Sequence, residues 1–70
     1  MEPYILIRDN PAELLAVCPN AGKYTGFHRS HIGTNFCEQG DDKDAIIRTI
    51  REKAVERGLE TITVKDETKS

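Results

Sequence analysis

The sequence predicts an α+β fold, an antiparallel sheet of three to four strands packed against one long helix. Three observations carry that expectation. Residues 41–58 have helical apolar spacing between an acidic start and a glycine stop. Residues 4–8 and 60–64 read as β-rich runs on either side. The middle of the chain is punctuated by Gly22, Gly26 and Gly33, as in a loop or short strands. At 70 residues the chain is expected to form a single domain over 1–70. A chain of this size buries only roughly 60% of its unfolded surface, so its stability margin is thin.

Tyr4, Ile5, Leu6, Ile7 and Arg8 form the first predicted strand, stopped by Asp9-Asn10-Pro11. The next piece has two readings. Asp9-Asn10-Pro11 as a turn makes residues 13–18 a second strand, the reading adopted. Asn10 as a cap with Pro11 at the first position makes residues 12–18 a short helix ended by Pro19. The adopted order is ββ(β)αβ. The alternative, with a strand over 24–29, is ferredoxin-like, βαββαβ.

Residues 20–35 are expected as a loop insertion, and residues 35–39 as a strand ending at Gly40. Asp41 or Asp42 then starts the helix, with acidic residues in its first turn. Ile46, Ile47, Ile50 and Ala54 fall on one stripe with Val55 beside it. Arg48, Arg51, Glu52 and Glu56 lie on the other face. Gly58 supplies the stop, and Leu59 folds back over the last turn. Residues 60–64 alternate with Ile62 and Val64 inward, and 65–70 form a charged, frayed tail. Both faces of the predicted sheet are partly apolar, and one long helix covers one of them. A second copy on the open face, giving a homodimer, is the expected resolution.

Composition excludes some classes. Hydrophobic content of 37%, charged content of 31% and a formal charge of −2 are those of a globular chain. A pI near 5.6 argues against bulk nucleic-acid binding. No apolar run approaches a membrane span or a secretory leader, so the expected location is cytoplasmic, where Cys18 and Cys37 stay reduced rather than bridged.

Phe36-Cys37-Glu38-Gln39-Gly40-Asp41, continuing through the helix to Ala54, resembles the HicB-like antitoxin domain, in which a strand and a Gly step lead into an Asp-capped amphipathic helix. Leu15-Ala16-Val17-Cys18-Pro19 is similar to that family's second strand. The resemblance covers about half the chain and implies a sheet-and-helix domain that masks an RNase toxin. No helix-turn-helix follows Val64, so operator binding is not implied.

All four Cys and His residues, Cys18, His28, His31 and Cys37, fall in one window that contains no acidic residue. Their types suit tetrahedral zinc, and a zinc-stabilised domain is one alternative. The spacing lacks a Cys-x2-4-Cys knuckle, and the bland alternative is two buried thiols and two loop histidines. Lys23, Tyr24, Phe27, His28, Arg29 and His31 mix cations with aromatics. Such a set could hold phosphate and stack on bases, though two fixed charges imply weak nucleic-acid binding. Residues 20–25 lack the first glycine of a phosphate loop, and no nucleophile–base pair is legible, so no enzymatic activity is expected. The expected function is a small non-enzymatic regulatory module, antitoxin-like or an inhibitor, with a protein as the foremost partner. Its expected partner-binding residues are Lys23, Tyr24, Phe27, Arg29, His31, Arg48, Arg51 and Glu52.

Overall fold

A computed structural model describes residues 3–59 and 63–69. The elements run β1 (Tyr4–Asp9), α1 (Ala12–Val17), a 3-10 turn (Pro19–Ala21), β2 (Tyr24–Ser30), β3 (Gly33–Gly40), α2 (Lys43–Glu56) and β4 (Thr63–Asp66). The strands form one sheet in the order β3-β2-β1-β4, with α2 packed across one face. The chain is thus an α+β domain with one long helix, as the sequence predicts. The sheet is mixed rather than wholly antiparallel. β1 and β2 are antiparallel, as are β2 and β3, whereas β4 runs parallel to β1. That direction follows from α2, which carries the chain back along the sheet before β4 begins.

The element order is that of the ferredoxin-like alternative, but the connectivity differs. α1 joins two antiparallel neighbours, β1 and β2, instead of crossing to a parallel strand. Residues 13–18, expected as a second strand, form this short helix. Pro11 stands at its N-cap and its carbonyl accepts from the Leu14 and Leu15 amides, while Cys18 N donates to Leu14 O at 2.7 Å. Pro19 then ends the helix.

Residues 20–35 are not a loop insertion, because they contain β2, an inner strand of the sheet. Gly26 explains why β2 reads as loop. A Cβ there would lie 2.5 Å from Ile46 Cγ2 and 2.8 Å from Ile50 Cδ1, so α2 sits directly on the bare backbone. The tail is also held more firmly than expected. Glu67 N donates to Ile7 O at 2.9 Å, and Lys69 N donates to Asp9 Oδ2 at 2.8 Å.

The core lies between α2 and the sheet. Ile5, Ile7, Ile46 and Ile50 are its buried centre, with Tyr24, Phe36, Ile47 and Val64 packed around it. Asp42 caps α2 by accepting from the Asp44 amide at 3.0 Å. At the other end Leu59 N donates to Ala54 O at 2.7 Å, and Gly58 has φ +71. Val55, expected beside the buried stripe, is 71% exposed. Ile62, expected inward, lies outside the described residues. Among the described residues no helix is long and apolar enough to cross a membrane.

Candidate functional site on the open sheet face

Strand alternation sends every second residue of each strand away from α2. Register puts Leu6 opposite Phe27, Phe27 opposite Cys37, Tyr4 opposite Arg29, and Leu6 opposite Lys65. Together with Arg8, Thr25 and Gln39, these residues line the face that α2 does not cover. The strand positions of this face hold three cations, Arg8, Arg29 and Lys65, and the Glu67 carboxylate just past β4 stands beside Arg8. This contrasts with the chain as a whole, whose formal charge is −2.

Each group on the face has a definite setting. Leu6 is only 4% exposed, while Phe27 and Tyr4 are half-buried. The Lys65 ammonium lies 5.6 Å from the centroid of the Tyr4 ring, a cation–π contact. Arg8 Nε donates to Glu67 Oε1 at 3.2 Å, an exposed ion pair that screening leaves weak. The Arg29 Nε is buried and has no hydrogen-bond partner among the described residues. A covered guanidinium nitrogen without an acceptor is an unsatisfied donor, and it meets an outside group only if the side chain turns outward.

A groove of about 350 Å³ opens where α1 leans toward this face, between Leu14 on one side and Phe27, Cys37 and Gln39 on the other. A polar chain stiffens its floor. Gln39 Nε2 donates to Thr25 Oγ1 at 3.4 Å, Thr25 Oγ1 donates to Asn10 Oδ1, and Asn10 Nδ2 donates to Gly22 O at 2.9 Å. Asn10 N also donates to Lys23 O at 2.8 Å, which fixes how the chain enters β2. Gly22 takes φ +85, and a Cβ on it would meet the Gly40 carbonyl carbon at 2.5 Å. Only glycine satisfies both conditions.

The residues singled out by sequence are split by this geometry. Phe27 and Arg29 face the open side. Tyr24 turns the other way and packs on the core, with Lys43 Nζ 5.4 Å from its ring centroid. Lys23 is exposed at the start of β2, and its amide donates to Asp41 Oδ1 at 3.0 Å. His31 is exposed in the β2–β3 turn. Arg48, Arg51 and Glu52 are exposed along α2, on the far side of the molecule from Phe27. The expected patch is therefore two surfaces on opposite sides, because consecutive residues of a strand cannot share a face.

The four Cys and His residues do not converge either. His28 is fully buried on the helix side, stacked on Phe36, with Asn35 Nδ2 3.0 Å from its Nδ1. Cys37 faces the opposite side and is exposed, as is Cys18. Among the described residues no group of three or more His, Cys, Asp or Glu side chains is placed to hold a metal ion. Burial, together with the nearby Arg57 guanidinium, holds the His28 imidazole below its ordinary pKa.

Tyr4, Arg8 and Lys65 are members of the open face that the sequence reading did not select. The alternation of Tyr4, Leu6 and Arg8 was visible. Lys65 reaches the face through the β1–β4 pairing, which joins distant parts of the chain. No family model, curated protein or solved structure matches this chain.

Proposed function

We propose that the domain is a non-catalytic binding module that masks or inhibits a macromolecular partner through its open sheet face. The observation that carries this reading is the segregation of charge. Arg8, Arg29 and Lys65 gather with Tyr4 and Phe27 on one face of a chain of formal charge −2. Aromatic and arginine side chains are the groups that concentrate binding energy at interfaces. The groove beside α1 adds concavity to an otherwise flat sheet.

The HicB-like run over 36–54 suggests a specific form of the same role, in which the domain silences an enzyme by covering it. Its Asp-capped helix supports that suggestion, though a strand, a turn and a capped helix recur in many folds. Two exposed free thiols suit a reducing, cytoplasmic setting.

The test compares two variants that add negative charge, each checked for folding by its melting transition. Phe27→Glu places a carboxylate at the centre of the open face. Arg48→Glu with Arg51→Glu alters the outer side of α2. Immobilised protein is challenged with lysate, and the bound macromolecules are compared. Loss of capture in Phe27→Glu, with capture retained in the helix variant, is the expected result. Equal capture by wild type and Phe27→Glu would overturn the reading.

A further inference from the structure

The open face also carries information about what covers it. We infer that its occupant is a single-stranded nucleic acid, whose bases stack on Phe27 and Tyr4 while its phosphates meet Arg29, Lys65 and Arg8. This inference rests on the reading of the open face as the binding surface, and narrows it to one partner chemistry.

Three features argue for this occupant. The first is charge. A polyanion complements a face whose strand positions carry Arg8, Arg29 and Lys65, against the Glu67 carboxylate that pairs with Arg8. A second copy of this chain does not. A two-fold interface joins the face to its own copy, which brings the same cationic surplus rather than an opposite one. The second is the placing of the rings. Tyr4 pairs with Arg29 and Leu6 with Phe27, so Tyr4 and Phe27 are diagonal neighbours on adjacent strands. Such neighbours are separated by about 7–8 Å, with a cation beside each ring. Stacking platforms for splayed bases are built from aromatic rings on a positively charged surface, and they tolerate any base because every base has a π-face.

The third is the state of the donors. Arg29 Nε is buried and unpaired among the described residues, and the Lys65 ammonium rests over the Tyr4 ring. A phosphate would offer Arg29 an acceptor once its covered Nε turns outward. Lys65 has only to swing from ring to phosphate, which leaves the Tyr4 ring open to a base. A duplex fits less well, since its bases are already stacked and present edges rather than faces.

The charge count also sets the strength of the salt response. Neutralising about three phosphates of a single strand gives a slope of about −2 in log affinity against log salt.

The experiment titrates the full chain into fluorescein-labelled oligouridine of about a dozen nucleotides and reads anisotropy at salt between about 50 and 200 mM. Oligothymidine and a duplex of the same length run in parallel. Binding to both single strands with a slope near −2, weaker binding to duplex, and about tenfold loss in Phe27→Ala and in Arg29→Gln is the expected result. Arg48→Gln with Arg51→Gln should bind as wild type. No anisotropy change at the lowest salt, or equal loss in the helix variant, would overturn the inference.

A nuclease arm separates this inference from the reading beneath it. Material captured from lysate by wild type but not by Phe27→Glu is treated with nuclease. Release on digestion supports a nucleic acid. Resistant material that still depends on Phe27 overturns the nucleic-acid inference and leaves the open face as a protein-binding surface. Capture independent of Phe27 overturns both.

Discussion

His28 and Phe36 lie ring on ring across β2 and β3, with centroids 4.8 Å apart and planes 7° from parallel. Arg57 closes the stack from the other side, its guanidinium carbon 4.8 Å from the Phe36 centroid. An imidazole, a phenyl ring and a cation thus seal one end of the core, and the imidazole at the bottom has no exposure. Its Nδ1 faces the Asn35 amide nitrogen at 3.0 Å, a contact that suits a neutral ring accepting there.

Acid should therefore weaken the fold through His28. Burial first, and the Arg57 charge after it, hold the imidazole below its ordinary pKa in the folded state. The unfolded chain then binds a proton at higher pH than the folded one. Stability is full above the unfolded value near 6.5 and declines as pH falls from there toward the lowered folded value. The urea midpoint should drop between about pH 7.5 and about pH 5.5. His28→Leu should flatten that change, although it loses the Asn35 contact at all pH values.

A second titration lies at lower pH. Asp66 is held to about 2 by the Thr68 hydroxyl and amide and by Lys43. Thr68 Oγ1 and N donate to Asp66 Oδ1 at 2.6 and 2.9 Å, and Lys43 Nζ is 3.2 Å from Asp66 Oδ2. A depressed carboxylate contributes stability above its unfolded value and loses it as pH falls toward the folded one. An NMR titration of the Asp66 carboxyl should show the low value, and Thr68→Val should raise it toward the ordinary aspartate range.

Gly26 should tolerate no side chain. The methyl of Gly26→Ala meets Ile46 and Ile50, and Ile7 Cδ1 stands 3.0 Å away. The helix has to lift from the sheet or the isoleucines leave their rotamers. Overpacking of this kind costs about 1–3 kcal/mol, read as a lowered urea midpoint. Gly26→Val should cost more, while Ser30→Ala further along the strand should be nearly neutral.

Asn10 should matter more than its place in a turn suggests. Its side chain links Gly22 and Thr25, and its amide reaches Lys23. Asn10→Ala removes two side-chain hydrogen bonds and leaves the buried Thr25 hydroxyl without an acceptor, at about 1–3 kcal/mol. Because the same chain of bonds supports Gln39, the variant should also weaken binding at the open face. Comparing stability and affinity in this variant separates the two effects.

Legibility followed the range of the interactions involved. α2 was readable because its signals are local. Asp42 caps it, Ile46 and Ile50 recur at helical spacing, and Gly58 ends it. α1 was not, because six residues with leucines on both sides fit either period. β2 was obscured by the residues that make it fit. Gly26 is there for α2, and the buried His28 is polar, so a strand at the centre of the sheet looked like a glycine-rich loop. The parallel β1–β4 pairing had no local signal at all. It is also what brings Lys65 beside Tyr4, so the cationic face could not be assembled from neighbouring residues.

Nucleic-acid binding at the open sheet face is tested most directly by an NMR footprint. Oligouridine is added to isotope-labelled protein, and backbone amide shifts are followed residue by residue. Changes centred on Tyr4, Leu6, Phe27, Arg29 and Lys65, with Arg48, Arg51 and Glu52 unmoved, are the expected result. Changes centred on α2, or none at saturating oligonucleotide, would contradict it.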